Sequence, residues 1–365
     1  MEEKKSTKKL TQTKTQKEVE IELQKEGVVF EEKDLKITVE QIQDHSELEI
    51  IGGCATYIAF KNLTSYAIGT DRSGLKVIKE GAEIYSKRFL SSARLDGIIY
   101  INSLNCYLLY LRSRIYRKDI DNKPPYLYMK LYLGSRSSNS IKYSKIHNRL
   151  ILAKYLNNNL ALINLERKRI ELEIRRVDGS TIQDLKIVGP KESQIATIAR
   201  NGRIELFSLT FNLKRVVRSY RHQVKLLSSE FECGQTVAVC EKNKFLLAGF
   251  SNSAFDTVTR IIAFGIGNRS LTQLHSLDKQ ALGLHTQLVL ESWKTVGSHI
   301  VWVALCRFNK YVNIYDLDTK TGKLKELLHE RIRHQKFLAR GLHRFGDSLY
   351  CASDLGRIMR VKISI

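Results

Sequence analysis

The stretch Leu104–Met129, LNCYLLYLRSRIYRKDIDNKPPYLYM, sets a pattern that recurs along most of this chain. Within it, Cys106–Leu111 is an apolar run of strand length, and after the polar Arg112 and Ser113 the segment Ile115–Ile120 is strand-like again. The following Pro124-Pro125 pair ends the pattern, because neither proline has an N–H to donate to a sheet. The stretch therefore predicts two strands joined by a tight turn.

The same pair of strands is found seven times between about residue 65 and residue 361. Equivalent apolar positions in the second strand of each pair are Val77, Tyr116, Leu162, Leu206, Phe264, Ile314 and Val361. A four-stranded propeller blade takes about 40–50 residues, which matches these spacings except for the 58 residues between Leu206 and Phe264, where the polar segment Ser251–Thr257 is inserted. No long helical period interrupts the strands. The sequence predicts an all-β protein, a seven-bladed β-propeller, with a β-sandwich or barrel as the alternative.

Two details of these units resemble WD40-type blades. Asp71–Gly74 is a polar turn ending in glycine, and Ile314–Leu317 ends a strand with an aromatic-Asp pair. The resemblance covers about residues 48–365 and lacks the Gly-His and Trp-Asp pairs typical of the family. It implies that the quoted strands are the third and fourth of each blade, and that Tyr126–Leu133 begins the third blade after a link holding the two prolines. Leu104–Met129 is also similar to divergent protist WD40-like proteins with no assigned activity.

Composition divides the chain into three parts. We expect residues 1–17 to be a disordered basic tail, since they cannot bury enough apolar surface to fold. Residues 18–47 form an acidic linker with short strands or a helix as alternatives, and residues 48–365 form the propeller. Alternating apolar positions, including Leu35, Ile37 and Val39, allow a strand from residues 19–39 to join a terminal blade.

Charge is the strongest functional signal in the sequence. The chain carries 60 Lys and Arg against 38 Asp and Glu, a net charge of +22. Residues 18–49 hold 3 Lys against 11 Asp and Glu, so the acidic segment precedes a strongly basic body. Such a body attracts polyanions or acidic protein surfaces.

Basic residues are concentrated in residues 142–221, with 17 Lys and Arg against 7 Asp and Glu, and in a second group near residues 331–344. The candidate polyanion or partner contacts are Arg167, Lys168, Arg169, Arg175, Arg176, Lys214, Arg215, Arg218, Arg221, Arg331, Arg333 and Arg340. A contiguous basic rim would contact phosphates with strong salt dependence. The alternative is that these side chains only solvate outer strands and protect their edges.

Sequence motifs for catalysis or cofactor binding are missing. The chain has no HExxH, no paired Cys/His spacing, no P-loop and no GxSxG. We therefore expect no catalytic residue, cofactor or metal ligand, and rank an enzyme third among the functions. The six cysteines are scattered singly and are expected to be reduced, mostly buried thiols.

The expected location is intracellular, cytoplasmic or nuclear, with no membrane insertion. No run of about 18 apolar residues is present, and the N-terminus lacks the apolar segment of a secretory signal. By resemblance, the function is a non-catalytic protein–protein interaction scaffold. The alternative is a basic propeller that binds RNA, a ribonucleoprotein or chromatin through an electropositive rim.

Overall fold

The fold is built from seven four-stranded antiparallel sheets, seen in a computed structural model of the chain. The structure describes residues 36–43, 45, 55–70, 72–89, 95–111, 114–131, 141–153, 159–174, 180–189, 191–212, 215–225, 232–240, 244–252, 257–268, 270–278, 288–306, 311–331, 342–352 and 357–364. Strands are numbered β1 to β28 in chain order, and the sheets are blades one to seven of a β-propeller.

Blades one to six each use four consecutive strands. Blade one contains β2 (Ala55–Asn62), β3 (Ser65–Thr70), β4 (Gly74–Lys79) and β5 (Ala82–Arg88). Blade two contains β6 (Gly97–Ile101), β7 (Cys106–Leu111), β8 (Arg114–Asp119) and β9 (Tyr126–Lys130). Blade three contains β10 (Ile141–Ser144), β11 (Arg149–Ala153), β12 (Leu160–Asn164) and β13 (Arg169–Ile174).

The next three blades repeat this order with longer strands. Blade four contains β14 (Ile182–Val188), β15 (Gln194–Ala199), β16 (Arg203–Asn212) and β17 (Arg215–Lys225). Blade five contains β18 (Glu232–Cys240), β19 (Phe245–Asn252), β20 (Thr257–Ile266) and β21 (Leu271–Asp278). Blade six contains β22 (Leu288–Val296), β23 (His299–Cys306), β24 (Tyr311–Asp318) and β25 (Leu324–Arg331).

Blade seven joins the two ends of the chain. It contains β26 (His343–Phe345), β27 (Ser348–Ala352), β28 (Ile358–Ser364) and β1 (Lys36–Gln43). β1 pairs antiparallel with β28 and becomes the outermost strand. His45 follows β1 and is buried, and its Nε2 lies 2.9 Å from the Tyr66 hydroxyl of blade one. The β1 segment therefore covers the edge of blade seven and reaches its neighbour, which closes the ring and removes an unpaired sheet edge.

The hydrophobic core lies between adjacent blades. In β7 all six side chains are buried, and alternate residues face opposite neighbours. Tyr107 and Leu109 pack in the cluster shared with blade one, whereas Leu108 and Tyr110 pack in the cluster shared with blade three. Burial on both faces explains why the sequence of this strand is continuously apolar rather than alternating.

The predicted strand pairs are present, but their place in the blade differs from the prediction. The quoted pairs are the second and third strands of each blade, counted from the ring centre, and not the third and fourth. Tyr126–Lys130 is the outermost strand of blade two, so Pro124 and Pro125 lie in a turn within that blade. A repeat fixes the spacing between blades, but not which of the four strands is innermost.

The N-terminal segment contributes one strand to the propeller. Residues 36–43 lie in the predicted acidic linker, for which short strands are one alternative, and they pair with β28. The alternating apolar positions Ile37 and Val39 are in the segment predicted to supply a strand that joins a terminal blade. Residues 1–35 lie outside the described residues. In the part of the chain that is described, no helix has the length and apolar character needed to cross a membrane.

Candidate interaction face

One face of the ring carries the turns that join first to second and third to fourth strands, and we call it the turn face. Strands alternate in direction, so both kinds of turn lie at the same end of each blade. In blade three the amide of Asn148, in the first kind of turn, donates to the Glu166 carboxylate in the second, at 3.2 Å. The turns of one blade thus support each other.

The turn after β10 presents an apolar side chain in a fixed position. Ile146 is 58% exposed. Its backbone N–H donates to Glu192 of blade four at 3.0 Å, and the Ser144 hydroxyl donates to the same carboxylate oxygen at 2.7 Å. The His147 ring lies 2.8 Å from the Lys191 carbonyl oxygen. Ile146 is therefore held out toward solvent by a turn that blade four anchors.

Two other large apolar side chains are exposed at this end of neighbouring blades. Leu63, in the first turn of blade one, is 43% exposed, and Tyr126, where β9 begins in blade two, is 47% exposed. The first turns of blades two and three are linked to each other, because the Ser103 hydroxyl donates to the Asn148 side-chain oxygen at 2.8 Å. Exposed apolar side chains surrounded by polar turns are typical of surfaces that bind proteins.

The structure places Arg167 and Lys168 on the turn face, in the exposed turn between β12 and β13, and Arg169 at the start of β13. The Arg167 N–H donates to the Asn164 side chain at 3.0 Å, and Lys168 has a left-handed backbone with φ of 51°. The Lys168 ammonium lies 4.6 Å from the centre of the Tyr128 ring. Lys168 therefore packs against blade two, while Arg167 and Arg169 remain exposed.

Tyr128 joins two blades. Its hydroxyl donates to the Leu165 carbonyl at 2.7 Å, so the outermost strand of blade two is tied to the turn of blade three. In the sequence, Tyr126, Tyr128 and Tyr132 share one strand face, which predicts packing between blades, with a stacking or protein-contact patch as the alternative. Tyr128 packs between blades, whereas Tyr126 is 47% exposed and Tyr132 lies outside the described residues.

Three predicted basic residues, Arg215, Arg218 and Arg221, lie on β17, whose backbone alone is described at these positions. β17 contacts β13, so Arg169 and Arg215 belong to neighbouring outermost strands, and both lie at their turn-face ends. Arg331 is the last residue of β25, and its side chain is likewise not described. The remaining predicted contacts lie outside the described residues: Arg175, Arg176, Lys214, Arg333 and Arg340.

Part of the basic charge in residues 142–221 is inside the protein. The Arg149 guanidinium donates to Glu171 at 2.6 and 3.1 Å, and both side chains are about 95% buried. Lys142 and Lys186 line a cavity at the ring centre. A charge count along the sequence therefore overstates the charge available on the rim, and the cavity lysines had no sequence signal that separates them from surface lysines.

The described cysteines are poor candidates for nucleophiles. Cys106, Cys233, Cys240 and Cys351 are buried. Burial raises the pKa of the Cys106 and Cys351 thiols to about 12, which disfavours the reactive thiolate. Across the described ranges, no group of three or more His, Cys, Asp or Glu residues is arranged to hold a metal ion.

Comparison with known proteins finds similarity in structure alone. No family model matches the sequence, and no curated protein matches it. The β-propeller domain of Nup133 from Vanderwaltozyma polyspora is 15% identical with a TM-score of 0.65, over 90% of this chain and 98% of that one. The WD40 β-propeller domain of Doa1 is 10% identical with a TM-score of 0.56, over 90% of this chain and 95% of that one.

An enzyme has a similar fold as well. Virginiamycin B lyase from Staphylococcus aureus is 10% identical with a TM-score of 0.61, over 91% of this chain and all of that one. At such identities a likeness concerns the fold and not the activity. With seven four-stranded sheets around one centre, this chain has the fold of a seven-bladed β-propeller, similar to the WD40 propeller domain of Doa1 and the propeller domain of Nup133.

Proposed function

We propose that this chain is a non-catalytic scaffold that binds partner proteins through the turn face of blades one to three. The observation that carries the proposal is Ile146, exposed on a turn that four contacts fix in place. A turn whose backbone is already anchored loses little conformational entropy on binding, so burial of the side chain that it carries contributes more fully to affinity. Leu63 and Tyr126 extend the apolar surface to the neighbouring blades.

The surrounding charge favours a partner with an acidic rim. Lys61, Lys145 and Arg167 are exposed in or beside these turns. Charged groups at the edge of an interface mainly raise the association rate and exclude like-charged partners, whereas buried apolar groups supply most of the affinity. The proposal includes an intracellular location, cytoplasmic or nuclear, which fluorescence microscopy of the tagged chain would test.

The test is quantitative affinity capture from the native cell with wild type, Ile146→Asp and Ile42→Asp. Both substitutions place a carboxylate at an exposed isoleucine, but Ile42 lies on β1 at the outer edge of blade seven. We expect Ile146→Asp to lose a defined partner and Ile42→Asp to retain it. Titration of the purified partner should then show at least a tenfold weaker affinity for Ile146→Asp, about 1.4 kcal/mol. Equal affinity of the three proteins would refute the proposed surface.

The second candidate function is binding of RNA, a ribonucleoprotein or chromatin. It is favoured by the exposed Arg167 and Arg169, which lead toward the outermost strand that carries Arg215, Arg218 and Arg221. Phosphate contacts release counterions, so affinity should fall steeply between about 50 and 200 mM salt. RNA binding measured across this range decides the matter. If the protein binds no RNA even at about 50 mM salt, this second candidate is excluded. If its RNA affinity falls steeply with salt and affinity capture returns no partner protein, the scaffold function is excluded.

A further inference from the structure

A cavity of about 460 Å³ lies at the ring centre, between the innermost strands β2, β6, β10, β14, β22 and β26. Its size falls within the range of pockets that bind small molecules. Lys61, Lys145 and Arg344, all exposed, mark the end that opens on the turn face. The cavity is thus accessible from solvent on the same side as the candidate interaction face.

Lysines from two blades point into this space. Lys142 comes from β10 and Lys186 from β14. Lys186 forms an ion pair of 3.2 Å with Glu291 of β22. Among the residues that the structure describes, the Lys142 ammonium has no hydrogen bond or ion pair, although its backbone pairs with β11. Placing a partly buried ammonium without such contacts costs free energy, and binding of an anion beside it would offset that cost.

The acidic group of the cavity is already engaged by the fold. One oxygen of Asp184 accepts hydrogen bonds from the Thr236 hydroxyl at 2.9 Å and the Val237 N–H at 3.1 Å. Its other oxygen accepts from the Leu185 N–H at 2.8 Å. Asp184 therefore holds blade four against blade five, and its carboxylate is committed to these donors rather than paired directly with Lys142.

The electrostatics of neighbouring groups agree with a positive interior. Desolvation, and then repulsion by Lys142 and Lys186, lowers the pKa of His343 to about 3, so this imidazole is neutral at pH 7. Desolvation and then Lys186 lower the pKa of Lys142 itself to about 8. An anion between the two lysines would relieve both effects.

Aromatic side chains form much of the remaining wall. Phe60 and Phe345 pack edge to face with ring centres 5.0 Å apart, and Tyr57, Tyr100 and Tyr143 also line the cavity. Cations beside flat apolar surfaces suit a ligand that has a charged group and a ring or carbon skeleton. A protein segment or nucleic-acid strand would need a longer groove than this cavity of about 460 Å³ provides.

We propose that the central cavity binds a small phosphate-bearing molecule, with Lys142 and Lys186 holding the phosphate and the aromatic wall holding its organic part. This site is distinct from the exposed apolar surface of the proposed scaffold function and does not depend on it. Phosphate is the proposed ligand group because lysines from two adjacent blades line the same cavity, and each ammonium can donate charge-assisted hydrogen bonds to phosphate oxygens.

The test is calorimetric titration of the full chain with inorganic pyrophosphate. Wild type should bind one equivalent, and Lys142→Met should bind at least about tenfold more weakly, because a charge-assisted hydrogen bond is lost. Lys142→Arg, which keeps the charge, should retain binding. The matched control is Lys130→Met, an exposed lysine on β9, which should bind like wild type. No binding by wild type at millimolar pyrophosphate, or equal binding by Lys142→Met and Lys130→Met, would overturn the proposal.

A second readout needs no variant. The aldehyde carbon of pyridoxal phosphate is attacked by a neutral lysine amine, water leaves, and borohydride reduces the resulting imine to a stable secondary amine. Peptide mass mapping should then find Lys142 modified, and excess pyrophosphate should protect it. Absence of modification at Lys142, or modification that pyrophosphate does not reduce, would contradict the site.

RNA binding that is unchanged in Lys142→Met would confirm that the cavity and the basic rim are separate.

Discussion

Arg149 and Glu171 form a buried ion pair between the second and fourth strands of blade three. The guanidinium also donates to the carbonyls of His147 and Asn148, and the Asn164 amide donates to Glu171 at 2.6 Å. Nearly every polar atom of the pair is therefore satisfied within the blade. Such a pair contributes little net stability over apolar residues, but removing one partner leaves a buried charge uncompensated.

We predict that Arg149→Met destabilises the protein by about 3–5 kcal/mol, whereas the double variant Arg149→Met/Glu171→Met recovers most of that loss. The measurement is urea unfolding of both. Arg260→Met is the control, because its ion pair with the exposed Asp278 is worth at most about 1 kcal/mol. A double variant as unstable as the single one would show that the charges are not paired as described.

Lys142 gives a pH dependence of defined sign. Its pKa falls from 10.5 to about 8, through desolvation and Lys186, against the opposing influence of Asp184 and Glu291; His343 also lies close by. Between about pH 8 and 10.5 the unfolded chain binds more protons than the folded one, so this group adds stability as pH rises. Below pH 8 the full free-energy cost of burying the charged Lys142 ammonium is present.

Lys142→Met should therefore be more stable than wild type at pH 7 by about 1–2 kcal/mol, after allowance for solvent screening. The gain should shrink as pH rises from 8 toward 10. Urea midpoints of both proteins at each pH provide the measurement, and the difference between them removes the contribution of other groups. A gain that does not change with pH would contradict the depressed pKa.

At the scale of single residues, the sequence predicted which basic side chains in turns are exposed, but not what individual basic residues do in the structure. Arg167 and Arg169 are exposed as expected from a polar turn between apolar runs. Arg149 and Lys142 have the same sequence character, yet one is buried in an ion pair and the other lines the cavity. Their roles depend on partners 22 to 149 residues away, which no local pattern reveals.

Among the elements, β1 differs most from its neighbours, because it joins a blade built from the other end of the chain. Arg360 of β28 donates to the Glu40 carboxylate of β1, and seven residue pairs are in register. The continuous apolar runs of second and third strands were predictable, since both their faces are buried. Outermost strands are half exposed, so their patterns are weaker and the assignment of blade edges was wrong.

We predict that deletion of residues 1–35 leaves the melting temperature unchanged, whereas deletion of residues 1–43 lowers the stability by at least about 2 kcal/mol. The longer deletion removes the partner of β28 and exposes a sheet edge, so aggregation should increase as well. Differential scanning calorimetry and light scattering report the two effects. Equal behaviour of both deletions would show that β1 does not close the ring.

A different deletion tests whether the acidic segment weakens polyanion binding by the body. Residues 1–35 carry 9 Asp and Glu but also 8 Lys, whereas residues 18–35 carry 7 Asp and Glu against 2 Lys, and deletion of residues 18–35 leaves β1 intact. If this segment competes for the basic surface, RNA affinity at low salt should rise, by a few-fold for each released contact. The matched control is a chain in which these acidic residues are replaced by Gln and Asn. Unchanged RNA affinity in both the deletion variant and the Gln and Asn variant would refute this hypothesis.

At the scale of the whole molecule, the ring keeps the exposed apolar surface of the turn face apart from the cavity at its centre. A turn anchored by blade four carries Ile146 outward, Leu63 and Tyr126 are exposed at the same end of blades one and two, and the innermost strands bring Lys142 and Lys186 to the centre. The radial repeat packs each blade between its neighbours and leaves only the outermost strands as sheet edges, which suits a scaffold. The blade count followed from the repeat, whereas the proposal of which end of the ring binds a partner rests on the anchoring contacts of blade four.

Hydrogen–deuterium exchange of the chain with its purified partner tests the central claim most directly. The proposal predicts protection of the turns at residues 61–64, 102–105 and 145–148, and of the start of β9, when the partner is bound. Protection should be absent in Ile146→Asp at the same concentrations. Protection confined to the outermost strand of blade seven, or equal protection in wild type and Ile146→Asp, would contradict the assignment of the turn face as the interaction surface.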